Sequence, residues 1–441
     1  MCSSDLIYML PYKESDLGIS GDLAGYMLQA MRANYAAIVP SGSFTDEALK
    51  HEYMHFLVHN RSAQQYPTWF DEGFAELLST VQVTDSLLEY GKASDVRMSW
   101  LINGNWMSFT KLLNTRDTGQ LRSDERGMFY AQAWFLMHFL NIGNGATNFG
   151  EQSRAYLNLV EAGTESSAAF SKTFAVDPNT LETKLRRYAR RLKYYRGELI
   201  TPFPAVATTI RTVQADEIAA ELGTLSLLTG GAAAAEKYFA EALRINANNA
   251  DALVGMGDVH KMTDRMASAP PYYQRALALE PDNANHHLDY GEYILDLARV
   301  EKSPEKVRAL LVDARKHFFR SHALNANNPE TLAMNGASYL FAGEDASKAV
   351  SSLEAAFHLL PAQSDIRKLL AQAYVATGRK DDARKQIKQL LAWSHSSGVP
   401  ELEAMLSGLD ASASAAADAS ATPSATPQSG LAEPGHQSSG P

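Results

Sequence analysis

The segment His51-Glu52-Tyr53-Met54-His55 sets two imidazoles four residues apart. The run around it, Thr45 to Val58, has no glycine or proline and reads as a helix. Ser43 or Thr45 can cap its start, and Asp46 and Glu47 fall in its first turn. On a helix, His51 and His55 lie one turn apart on one face, where two neutral imidazoles can grip a single metal ion. Glu52 then stands beside the ion and can take a proton from a bound water. Two histidine ligands and a general base are the parts of metal-assisted hydrolysis.

A metal of this kind needs a third protein ligand. Residues 69–76 read Trp69-Phe70-Asp71-Glu72-Gly73-Phe74-Ala75-Glu76, after Pro67, which stops any earlier helix. Glu72 lies 17 positions beyond His55, enough for a loop and a returning helix. His51, His55 and Glu72 would leave a fourth position for water. Glu76, one turn after Glu72, is placed to accept from the outer ring nitrogen of a ligand histidine. Asp71 points to another part of the helix. His59 is expected to be a bystander, and His138 is expected to pack.

His51-Glu52-x-x-His55 followed by Trp69-Phe70-x-Glu72-Gly73-x-Ala75-Glu76 resembles the gluzincin metallopeptidases, a group that includes thermolysin and aminopeptidase N. It is closer still to bacterial peptidase MA-like proteins, which pair such a domain with helical repeats. The metzincin pattern does not fit, because position 61 is arginine. The resemblance spans roughly residues 5–200. It implies an α+β zincin-like domain, mostly helical after a small sheet. It also implies one Zn2+ on His51, His55 and Glu72, with Glu52 as general base and Glu76 in support. Tyr130, at the start of the apolar helix Gly127–Leu140, resembles the tyrosine that steadies the oxyanion in the aminopeptidases. The implied activity is zinc-dependent peptide-bond hydrolysis. The amino-terminus-capturing Met-Glu-Asn motif is missing upstream of His51, which favours an endopeptidase.

Around these residues the chain must supply elements. Leu6–Tyr12 and Tyr35–Val39 read as strands, the second either a substrate-pairing edge or an ordinary sheet strand. Leu23–Arg32 reads as short helix or irregular. Ser86–Trp100 and Asn179–Tyr195 read as helices, with Phe109–Leu113 a helical turn and Asn114–Arg126 a polar linker. The last helix brings a charge run, Lys184, Arg186, Arg187, Arg190, Arg191, Lys193 and Arg196, which is expected to be a solvated face.

Thr201-Pro202-Phe203-Pro204 marks a boundary. Beyond it small residues recur at Gly223, Gly257, Gly291, Gly336 and Ala371, at intervals of 34, 34, 45 and 35. A second series, Ala242, Ala276, Ser321 and Ala356, keeps the same register. This is the tetratricopeptide (TPR) period: five helix pairs, with an insertion near Val300–Arg308 in the third. Such a solenoid takes a peptide or protein partner on its concave face. Tyr238, Tyr272, Tyr273, Phe318, Phe319 and Phe357 are expected to pack between helices, and His286 and His287 to be solvated.

The expected domains are therefore 1–204, metallopeptidase-like, 205–409, TPR, and 410–441, an alanine-, serine- and proline-rich disordered tail. A net charge of −10 argues against a nucleic-acid partner. The single cysteine excludes an internal disulfide and a thiolate metal cluster. Met1–Leu6 has neither the charged start nor the apolar run of a signal peptide. It reads as an adapter-like remnant, with the natural N-terminus expected to be missing. Bacterial envelope and cytosol both suit the composition, the envelope slightly better. The alternative to a peptidase is a TPR interaction scaffold whose zinc domain is structural or idle.

Overall fold

The computed structural model describes residues 25–29, 34–38, 44–61, 66–84, 86–143, 148–198, 211–263, 265–393 and 400–409. The expected strand at Leu6–Tyr12, the Thr201–Pro204 boundary and the tail after Leu409 lie outside them. The chain is mostly helical, with little sheet.

Strands β1 (Gly25–Gln29) and β2 (Asn34–Ile38) pair antiparallel, Met27 opposite Ala36. The first was expected as helix or irregular, and the ladder to β2 decides it. Helix α1 (Phe44–Arg61) packs against both strands and against α2 (Thr68–Ser79). Lys50 on α1 donates through Nζ to the Val81 carbonyl just past α2, at 2.9 Å.

The expected helix over Ser86–Trp100 is instead strand β4 (Leu87–Tyr90) followed by α3 (Asp95–Asn103). Gly91, at φ +78°, makes the break. Strand β4 lies between β3 (Gln82–Val83) and β5 (Tyr195–Glu198), both antiparallel to it. The helix expected over Asn179–Tyr195 is also shorter than expected. It runs only as α8 (Pro178–Tyr188) with a 3-10 turn at Ala189–Arg191, and then enters β5. Cross-strand pairs hold that strand. Tyr195 faces Tyr90, with ring centroids 4.8 Å apart, and Arg196 reaches Glu89 at 3.1 Å.

Helix α5 (Ser123–Asn141) is the centre of the amino-terminal core. Against it pack α2, α3, α4 (Phe109–Asn114) and α8, while α6 (Phe149–Glu161) and α7 (Ser166–Phe174) pack on each other in the same core, which buries Trp69, Phe129, Trp134, Phe135, Tyr156 and Phe170. A Cβ on Gly73 would stand 2.6 Å from the Ala133 carbonyl oxygen, so only glycine lets α2 lie this close to α5. Trp69 Nε1 donates to the Tyr156 hydroxyl at 2.8 Å and pins the start of α2. His138 packs as expected. Its Nε2 donates to the Gly91 carbonyl at 2.8 Å, and its Nδ1 accepts from Tyr188 at 2.9 Å.

Five helix pairs follow: α9 (Ala215–Leu228) with α10 (Ala232–Ile245), α11 (Ala250–Met262) with α12 (Pro270–Leu279), α13 (Ala284–Val300) with α14 (Pro304–Leu324), α15 (Pro329–Ala342) with α16 (Ala346–Leu359), and α17 (Ser364–Ala376) with α18 (Lys380–Trp393). Residues 400–409 are again helical. The asparagines at the repeat ends are caps. Asn249 accepts from the Ala252 amide at 2.8 Å, and Asn283 and Asn328 cap α13 and α15. The insertion lengthens α13 and α14 to 17 and 21 residues. Tyr273 and Phe318 are buried, whereas Phe319 is 53% exposed and does not pack as expected. His286, expected to be solvated, is buried with Nε2 3.0 Å from Asp251.

Candidate functional site

Helices α1 and α2 bring three sequence-predicted residues to one point. His51 Nε2 and His55 Nε2 are 3.1 Å apart, and Glu72 Oε2 lies 3.3 and 3.4 Å from them. Glu72 Oε2 is buried and meets no hydrogen-bond geometry there. Among the described residues these three form the one group whose donor atoms could hold a metal ion. The triangle fits such an ion. Tetrahedral zinc with bonds of about 2.0–2.1 Å keeps its ligands about 3.3 Å apart.

The outer nitrogens of both rings are also met. His51 Nδ1 is 3.3 Å from Glu76 Oε1, the contact foreseen for Glu76. His55 Nδ1 is 3.3 Å from Asp71 Oδ2. Asp71 was expected to point elsewhere, but α1 crosses α2 so that consecutive turns of α1 meet different sides of it. Glu76 is gripped in turn by Arg97 of α3, through Nε at 2.8 Å and through Nη2. The Arg97 guanidinium lies 5.3 Å from the centre of the Tyr130 ring, and that ring is 6.4 Å from His51. Tyr130 on α5 therefore borders the cluster, as does the half-buried Glu52. The His59 side chain lies outside the described ones.

The charges at the site are strongly coupled. Burial alone would raise the Glu72 carboxyl, but the His51 and His55 rings close beside it hold it at about 2. Burial opposes a charge on His55, yet Asp71 and Glu72 lift it to about 11. His51 is raised against its burial by Glu72 and Glu76. Burial raises Glu52 and Tyr130. The neighbouring carboxylates thus favour the protonated form of both rings, the positive charge that a bound cation would bring. Asp71 steadies one of them, and an acceptor behind a ligand histidine is commonly worth about 10–100-fold in metal affinity. Replacing Asp71 with alanine is expected to weaken zinc binding by that range, read from competition with a coloured chelator. Unchanged affinity would mean that Asp71 does not orient His55.

Residues 340–406 match a family model described as tetratricopeptide repeat. No curated protein matches the chain. Among solved structures, a thermophilic tetratricopeptide repeat protein of Thermus thermophilus shares 22% identity, covering 45% of this chain and 100% of that one at a TM-score of 0.39. PilW, a type IV pilus biogenesis factor, shares 16% identity over 47% of this chain and 91% of its own, at 0.40. YrrB, a repeat protein with an unusual peptide-binding site, shares 18% over 41% and 84%, at 0.30.

Residues 340–406 are thus similar to tetratricopeptide repeats, a repeat family whose members bind protein partners. The expectation of a zinc metallopeptidase is corrected. The matched family is a protein-interaction repeat, which points to a binding role in place of peptide-bond hydrolysis. The base role of Glu52 and the oxyanion role of Tyr130 depended on that activity. No helix among the described residues is long and apolar enough to cross a membrane.

Proposed function

We propose that this protein is an interaction scaffold. Its repeat array, residues 205–409, binds a protein or peptide partner, and its amino-terminal domain, residues 1–204, holds one zinc ion on His51, His55 and Glu72 in a structural role. The observation that carries the scaffold is the tetratricopeptide match over residues 340–406, in register with five helix pairs. Stacked repeats of this kind present an extended face to a ligand while each unit contacts only its neighbours. The donor triangle of α1 and α2 supports the metal, and its resemblance to the gluzincin helix pair supports a zincin-like fold there. A zinc ion binding the folded state alone would stabilise that domain.

Selection of random peptides displayed on phage against the full chain tests the scaffold. Peptides are expected to be enriched, to bind Glu52→Gln and His55→Ala as they bind the parent, and to lose binding when Gly255→Leu disturbs the repeat stack. Failure to enrich any peptide would overturn the scaffold, as would binding indifferent to the repeats.

A further inference from the structure

The first helix of each pair, α9, α11, α13, α15 and α17, packs on the first helix of the next pair, and the second helices make no comparable contacts with one another among the described residues. The array is therefore tighter on the first-helix side, and those helices line its inner face. The position five residues after each small residue repeats along that face. It holds Leu228, Met262, Asp296, Phe341 and Ala376, so three of the five are large and apolar. Leu228, Met262 and Phe341 are 45%, 54% and 43% exposed. Large apolar side chains held in water at a repeated position make a row of anchor points.

Where that row is interrupted, charge gathers. Lys261 of α11 lies largely sheltered, with Nζ 3.3 Å from Asp258 and 3.7 Å from Glu292. Asp289 and Asp296 add their fields to the same ammonium, and all four carboxylates raise its pKa against the effect of burial. Tyr273 donates its hydroxyl to Asp258 at 2.7 Å, and Arg299 pairs with Asp296 at 2.7 Å. Four carboxylates thus stand around the Lys261 ammonium, in partly buried surroundings where field lines are focused rather than screened. In chain order Asp289, Glu292 and Asp296 fall between Met262 and Phe341, and Asp258 lies one turn before Met262.

Resting on the scaffold proposed above, we infer that the inner face formed by α11, α13 and α15 docks a partner segment in which lysine or arginine is flanked by large apolar side chains. The cation meets Asp258, Glu292 and Asp296, and its neighbours cover Met262 and Phe341. The carboxyl-terminal stretch 410–441 contains no lysine or arginine, so it lacks the charge this face selects, and the occupant is another molecule. Lys261 holds part of the acidic patch in the free protein and competes with that occupant.

The test uses the full chain and short fluorescein-labelled peptides in which leucine alternates with arginine, read by fluorescence anisotropy. Peptides with glutamate in place of arginine, or serine in place of leucine, serve as controls. The leucine–arginine peptide is expected to bind at least about tenfold more tightly than either control. Asp258→Asn with Glu292→Gln should weaken it about tenfold, and Met262→Ser with Phe341→Ser by a similar factor. Lys261→Gln should tighten it several-fold. A loss of fold would weaken binding instead, so this variant separates competition from damage. Equal binding of the glutamate peptide, indifference to the groove variants, or weaker binding by Lys261→Gln would overturn the inference. If displayed random peptides are enriched but carry no basic residues, the docking inference fails and the scaffold stands. If none is enriched, both fail.

Discussion

Protein prepared with zinc present is expected to hold about one zinc ion per chain, and His55→Ala to hold none after gel filtration. The size of the loss follows from the ligand count. Structural zinc sites with four ligands bind with about 10–16 kcal/mol, or roughly 3–4 kcal/mol per ligand, so deleting one costs on the order of a few hundredfold in affinity. The deletion also leaves Glu72 and Asp71 buried without the imidazole that now balances them. The pH dependence has a definite sign. In the metal-free cluster His55 is lifted to about 11 and His51 is also raised, so at neutral pH zinc must expel protons to reach their nitrogens. Affinity should therefore fall as pH falls, and calorimetry in buffers of different ionisation enthalpy should register proton release. Parent protein that stays metal-free in excess zinc, or His55→Ala with the parent's content, would remove the metal from this site.

What was legible in the sequence was whatever the chain decides locally. The meeting of His51, His55 and Glu72 needed only two helices and a return loop. The repeat pairs followed from glycines and alanines kept in register. Asp71 was missed because one helix was considered at a time. Two ligand histidines have two outer nitrogens, and only one acceptor, Glu76, had been found; counting acceptors would have pointed to the neighbouring carboxylate. Arg97 was missed because it lay in a stretch read as continuous helix, with nothing local to aim it at Glu76. Strand β4 reads as helix in the sequence, and the helix expected over Asn179–Tyr195 ends where β5 begins, because each strand is stabilised by a partner about a hundred residues away, through Tyr90–Tyr195 and Glu89–Arg196. The enzyme expectation erred differently. Ligand geometry is local, but activity is a property of a whole domain, and a motif cannot supply it.

The repeat array offers the other large effect. Phe239 of α10 is 1% exposed, and its ring fills the slot between α9 and α11. A Cβ on Gly223 would stand 2.5 Å from that ring and one on Gly255 only 2.2 Å, so both helices give up side chains to admit it. Phe239→Ala therefore removes the main contact coupling the first repeat to the second. A buried phenylalanine cut to alanine costs about 3–5 kcal/mol. In a solenoid that cost falls on one interface rather than on the whole chain, because stability is a sum over neighbouring units. Chemical denaturation followed by circular dichroism should thus show an early transition for the first repeat, with the later repeats nearly unmoved. Phe319→Ala is the control. It removes the same side chain from α14, but from a ring 53% exposed to water, and should cost only a few tenths of a kcal/mol. Equal costs for the two substitutions would show that burial between the first helices does not bind the repeats together. A difference of several kcal/mol would show that the glycines at 223 and 255 are there to make room for one ring.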